Sequence, residues 1–286
     1  MTVKRPSLPR SSAGLPSPRR VLMAATLALG LGLGLTGCAG DDKPEYVERP
    51  VEELYNEAVD LLNAAKYQDA SKAFDEVDRQ HPYSSWATKA QIMAAYALYE
   101  DNAYDDAVVA LNRFIELHPG NQDIAYAYYL RGLCFYEQIA DARRDQQMTR
   151  QAMSNLRDVV TRFPDSSYAR DARLKIDLAN DHLAGHEMGI GRYYLDHLDY
   201  LAALNRFRTV VEKFDQTTHV PEALYRMVEV NTILGLTEEA KRVAAVLGYN
   251  YPGSDWYADA YGLVTGNTSY EPKTDSRWYD SLTNWL

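Results

Sequence analysis

From residue 67 onward the chain repeats itself. Five segments align without gaps, beginning at Tyr67, Tyr104, Thr149, Tyr200 and Thr237. Three residues on stands an alanine each time: Ala70, Ala107, Ala152, Ala203 and Ala240. Four further come Phe74, Leu111, Leu156, Phe207 and Ala244, and three further Val77, Phe114, Val159, Val210 and Leu247. Steps of three and four place these side chains on one face of a helix. Five residues later the helix meets a stop: Pro82, Pro119, Pro164, Asp215 and Pro252. Proline lacks the N–H that a helix interior needs, and it pushes the residue before it out of the helical region. A chance bundle would not keep this phase five times, so the repeat excludes most other folds before composition is consulted.

Each unit also has a first helix. Twelve residues ahead of the alanine the tetratricopeptide pattern wants a small residue. Ala58, Ala95, Gly191 and Val228 stand there, and Gly132 joins them if eight residues are inserted around Ala140–Gln147. Bulky Leu61, Leu98, Phe135 and Tyr194 follow three residues on, whereas Asn231 breaks the pattern and marks the fifth unit as an atypical cap. The stops are 37, 45, 51 and 37 residues apart, against a tetratricopeptide period of about 34. The long interval traces to 165–185, which reads as an extended helix. The pattern resembles the tetratricopeptide repeat over residues 51–263. It predicts an all-α chain, an α-solenoid of five helix pairs wound as a right-handed superhelix, with no strand.

The ends read differently. Lys4, Arg5, Arg10, Arg19 and Arg20 precede an uncharged run, Val21–Gly37. Its 17 residues fall short of the ~20 that a membrane-spanning helix needs, so residues 1–37 read as a secretory signal. The run closes on Leu35-Thr36-Gly37-Cys38, which resembles the lipobox of bacterial lipoproteins. That resemblance implies cleavage before Cys38 and its conversion to an N-palmitoyl, S-diacylglycerol cysteine. Ala39, in place of Asp, favours the outer membrane. Residues 38–50 read as a lipidated flexible tether, and 264–286 as a polar tail with late aromatics. Removing 1–37 leaves 25 basic against 40 acidic residues, a charge near −15, which argues against nucleic acid as a partner. Cys134 is then the one thiol outside the anchor, in an apolar helix, and reads as a buried structural residue.

No nucleophile elbow, phosphate-binding glycine loop or zinc-protease helix occurs. His182 and His186 share a helix face beside Glu187, but no third ligand is evident, so no metal, cofactor or enzymatic activity is expected. The expected chemistry is a groove lined by the first helices. The first three units offer Tyr55, then Lys89, Tyr96 and Tyr99, then Tyr126, Tyr129 and Tyr136. Tyrosine presents a rigid apolar body with a polar tip and suits peptide recognition. Lys89 and Arg131 are candidates to meet a peptide carboxylate. Units four and five offer Met188, Arg192, Leu195, Glu222, Tyr225 and Glu229, a more polar face.

Tyr128-Tyr129-Leu130-Arg131-Gly132-Leu133, the insertion after it, Tyr168-Ala-Arg-Asp-Ala and Gly191-Arg-Tyr-Tyr with Ala203-Leu-Asn-Arg206 resemble the BamD (ComL) family. These are lipoproteins of the β-barrel assembly machinery. The insertion is shorter than in some relatives and the tail longer. The resemblance implies a periplasm-facing scaffold on the outer membrane that works with BamA and other Bam subunits. Units 1–3 would hold the targeting segments of unfolded outer-membrane proteins, with His81, Tyr83 and Trp86 at the pocket turn. Units 4–5 would hold the POTRA domain of BamA, with Asn205 and Arg206 at that interface. The rival class is a repeat lipoprotein that coordinates cell-envelope or division proteins; such proteins often carry a coiled coil, and no heptad run is present here.

Overall fold

A computed structural model describes residues 48–266; Cys38, the signal segment and residues 267–286 lie outside the described residues. Within them every element is a helix, in the order α1 (Val51–Asn63), α2 (Tyr67–Gln80), α3 (Ser85–Glu100), α4 (Tyr104–Leu117), α5 (Ile124–Tyr136), α6 (Gln147–Arg162), α7 (Ser167–Asp196), α8 (Tyr200–Lys213), α9 (Val220–Ile233), α10 (Thr237–Asn250) and α11 (Asp255–Thr265). Each helix packs on its chain neighbours, and α1, α3, α5 and α7 also touch one another in succession. Second helices α2, α4 and α6 make no comparable contact among themselves. The first helices therefore line the inner side of an all-α array of tetratricopeptide type.

The repeated alanines are all buried, and four positions on Phe74, Leu111, Leu156 and Phe207 are fully buried, with the smaller Ala244 5 % exposed. Why the small positions must be small is visible at two of them. A Cβ on Gly191 would stand 2.4 Å from the Phe207 ring, and one on Gly132 would stand 2.8 Å from Leu156. Phe207 and Leu156 are the repeat's own large positions, so within a unit a glycine on the first helix makes room for bulk on the second.

Helix ends repeat as faithfully as helix faces. After α2, α4, α6, α8 and α10 the capping residue (His81, His118, Phe163, Phe214, Tyr251) holds φ near −130° and ψ between 39° and 55°. Its N–H donates to the carbonyl four residues back. Phe214 does so without a following proline, so the proline reinforces this geometry and is not its only cause. The turns inside units one, two, four and five each hold a left-handed residue: Ala65, Asn102, Leu198 and Gly235. The next N–H then reaches back to Leu61, Leu98, Tyr194 and Asn231 at 2.8–2.9 Å, the cap that satisfies helix-end carbonyls.

The third unit departs from this pattern. Its two helices are joined by 137–146, organised around buried Gln146. The Gln146 amide donates to the carbonyls of Asp141, Ala142 and Arg144 at 3.0–3.3 Å, and its oxygen accepts from Thr149 Oγ1 at 2.8 Å. His186 on α7 pairs through Nδ1 with the Ala142 carbonyl and so ties the loop to the next unit. The expected long helix is α7, Ser167–Asp196.

Two boundaries differ from expectation. Arg49, read as tether, is fastened: its N–H donates to Gln80 at 2.9 Å, its carbonyl pairs with His81 Nε2 at 2.7 Å, and its guanidinium meets Glu53 and Glu57. At the other end α11 extends to Thr265, past the expected start of the tail, and covers unit five with Trp256 and Tyr257 packed against its core.

Candidate functional site

The inner face of units one to three carries a run of rings. Tyr55 lies 5.4 Å from Phe74 and 4.8 Å from Trp86. Tyr96 stacks on Tyr99 at 6.4 Å, and Tyr99 meets Tyr104 at 5.7 Å. Tyr126 and Tyr129 both meet Tyr168, at 5.4 and 5.3 Å. The expected tyrosines of α1, α3 and α5 are thus brought together, half-buried, each in contact with a ring or a cation: Tyr136 has the Lys175 ammonium 4.9 Å from its centroid.

Carboxylates terminate this strip. The Glu100 carboxylate one turn on, together with burial, pushes the Tyr96 phenol up to about 12. Tyr99 donates to Glu137 at 3.4 Å, and burial followed by that carboxylate raises it further. Tyr129 donates to Asp171 and is raised by burial first and by that bond second. Burial also raises Tyr126. All stay protonated donors at neutral pH, so the strip offers ring faces and anionic tips.

The cations do not behave alike. Lys89 is exposed, 5.7 Å over the Trp86 ring, beside a shallow cleft of about 180 Å³ bordered by Ser85, Thr88 and Asn121–Asp123. Arg131 corrects an expectation. It is turned towards the second helices, donating to Asn112 on α4 at 2.9 Å and meeting Asp158 on α6 at 3.4 Å, with its guanidinium on the Tyr128 ring. It clamps units two and three together and is not a groove cation. The Tyr83 ring is fully exposed with no ring neighbour among the described residues, and His81 is occupied by Arg49. Of the pocket-turn residues only Trp86 joins the strip.

Units four and five are filled from within. Met188 and Tyr225, expected in the groove, are core residues. Arg192 pairs with Glu222 at 2.6 Å, and buried Arg226 pairs with Glu229 at 3.0 Å while lying 5.4 and 5.9 Å from the Tyr225 and Trp256 rings. Arg206 pairs with Glu187 of its own unit at 3.1 Å yet keeps 40 % of its side chain exposed. Asn205 beside it is exposed. Cys134 is fully buried, which pushes its thiol up to about 12.

One feature of the strip escaped the repeat alignment. The turns between units alternate in length: 81–84, 163–166 and 251–254 are short, 118–123 and 214–219 longer. The short ones share Pro-x-Ser followed by Ser or Asp and an aromatic (Trp86, Tyr168, Trp256). Ser84, Ser166 and Ser254 cap the next helix through Oγ. The aromatic then lies on a tyrosine of the preceding first helix: Trp86 on Tyr55, Tyr168 on Tyr129, Trp256 on Tyr225 at 5.2 Å. A search at twice the repeat period would have found it.

Residues 47–247 match the model of a family described as YfiO, outer membrane lipoprotein. An outer membrane protein assembly factor BamD of Caulobacter vibrioides is 50 % identical over 250 residues, covering 86 % of this chain and 79 % of that one. The BamD of Rickettsia prowazekii is 47 % identical, covering 85 % and 96 %; that of Neisseria meningitidis serogroup A is 34 % identical, covering 82 % and 94 %. With the helix-pair array and the inner aromatic strip already in place, these relatives identify the chain as a member of the YfiO family of outer-membrane lipoproteins, the family of the BamD assembly factors.

Proposed function

We propose that this chain is a non-enzymatic scaffold for outer-membrane protein assembly, anchored through lipidated Cys38 on the periplasmic face of the outer membrane. No described helix is long and apolar enough to cross a membrane; the attachment in this reading is the lipid on Cys38. Two or more acyl chains suffice for stable anchoring. Units 1–3 hold an extended targeting segment of an unfolded outer-membrane protein, and the observation that carries this is the succession of three ring groups on the first helices, Tyr55–Trp86, Tyr96–Tyr99 and Tyr126–Tyr168–Tyr129. Half-buried rings that already rest on one another lose little freedom when a peptide covers them. Units 4–5, with their inner face filled by their own side chains, present an outer surface instead. The exposed part of Arg206 and Asn205 there meets the POTRA domain of BamA. Tethering both partners near the membrane raises the effective concentration of client at BamA.

The test is affinity purification of the tagged full chain from detergent-solubilised membranes, wild type against Arg206→Ala. BamA is expected with the wild type and to be depleted with the variant. Equal recovery would move the interface away from Arg206; absence of BamA from both would sink the assembly reading.

A further inference from the structure

The two carboxylates between units two and three stand where helix electrostatics disfavours them. Glu100 is the last residue of α3, and Glu137 is the capping residue of α5. A helix C-terminus carries partial negative charge and ordinarily attracts Lys, Arg or His, yet neither helix has a basic residue in its last turn. Glu137 accepts from the Tyr99 hydroxyl at 3.4 Å, and Glu100 stands one helical turn on from Tyr96, whose ring stacks on that of Tyr99. A phenol donating to one carboxylate oxygen leaves the other oxygen to accept. Among the described residues no ion pair joins either acid to a cation of the chain. Local rules broken without compensation inside the fold point to a compensating ligand.

One unit further along, the chain supplies that compensation itself. There Tyr129 donates to Asp171, and Lys175 sits 3.7 Å from Asp171 with its ammonium 4.9 Å from the Tyr136 ring centroid. Tyrosine, carboxylate and lysine complete one another. The niche of Tyr96, Tyr99, Glu100 and Glu137 has the same first two parts and lacks the third.

We propose that this niche receives a lysine or arginine side chain of the bound peptide, seated between Glu100 and Glu137 and against the faces of Tyr96 and Tyr99. The inference rests on the peptide-binding reading above and adds its selectivity: a cation at one position of the client, with aromatic side chains on the rings to either side. Of the two cations expected to meet a peptide carboxylate, Arg131 is engaged elsewhere and exposed Lys89 keeps that role, near the start of the helix that Glu100 ends. Two exposed or half-exposed ion pairs and a cation–ring contact together correspond to about a tenfold preference at low salt.

The experiment uses the detergent-solubilised full chain and three labelled peptides of one aromatic-rich, extended sequence. They carry lysine, glutamine or glutamate at one central position, and binding is read by fluorescence anisotropy. Wild type is expected to bind the lysine peptide about tenfold more tightly than the glutamine peptide, and the glutamate peptide least. The gap should shrink as salt rises from about 0.05 to about 0.3 M. Glu100→Gln with Glu137→Gln keeps the hydroxyl acceptors and should bring lysine and glutamine peptides within about twofold. Equal affinity of the three peptides for wild type overturns the inference while leaving peptide binding intact, as does a lysine preference that survives both substitutions. Failure of all three to bind overturns the peptide-binding reading as well. The comparison of peptides on wild type needs no variant, so a folding defect cannot decide it.

Discussion

Leu198 holds a left-handed backbone, φ 62°, and exposes 69 % of its side chain. For a residue with a Cβ that conformation costs about 1–2 kcal/mol, and Gly235 does the same task in the next unit without that cost. Leu198→Gly is therefore expected to stabilise the fold by about 1 kcal/mol, after the extra freedom glycine gives the unfolded chain is deducted. The urea midpoint should rise; a fall would mean that the leucine side chain has a packing role. Cys134 gives a second residue-scale expectation. Its folded pKa, raised by burial to about 12 from an ordinary 9.0, means the folded state keeps a proton that the unfolded state releases. The contribution is fully present below about pH 8.5 and is lost as pH rises from there towards 12. At pH 8 the native thiol should resist a thiol reagent and react only on unfolding, so rapid modification of folded protein would contradict its burial.

Helices were the most legible elements, and the reason is physical. A face buried against two neighbours tolerates few residue types, so Ala70, Phe74, Val77 and their counterparts mark the phase directly. Long polar side chains carry no such mark. Arg131 and Tyr129 are two residues apart on α5 and so point away from each other; Asn112 and Asp158 hold Arg131 on the second-helix side, and Asp171 holds Tyr129 on the inner side. Tyr225 went astray for a related reason: α11, outside the five-fold alignment, helps to close unit five, and Tyr225 lies under its Trp256, while Met188 joins the core of units four and five. The loop 137–146 was legible as an insertion and not as a structure. Gln146 does there what a missing helical turn would do, lending one amide to three carbonyls. Gln146→Ala leaves those carbonyls without that donor. About 1–3 kcal/mol of local stability should go with it, seen as faster amide exchange across 137–146 and the facing turn of α7. Unchanged exchange would show that the loop holds without its amide.

For the whole molecule the four core clusters mean that stability is summed along the chain, unit by unit, more than held in one centre. The alternating turns add a constraint that a simple sum lacks: the array has parity. Tyr55, Tyr129 and Tyr225 each need the ring delivered by the short turn that follows, and short turns come only after odd-numbered units. Excising α5 to α8, so that Leu117 runs into Phe214, removes an even number of units, takes the inserted loop away together with its His186 tie, and leaves Tyr55–Trp86 and Tyr225–Trp256 intact. Excising α7 and α8 alone, joining Arg162 to Phe214, strands Tyr129 without Tyr168 and the loop without His186. The shorter deletion should therefore be the more damaging one per residue removed, with the lost ring pair alone worth about 0.5–1.5 kcal/mol; thermal melts of the two would rank them. For an array of this kind, gain and loss of length is then quantised in pairs, and a lineage that lengthened or shortened its solenoid by one unit would have to rebuild a turn at the same step.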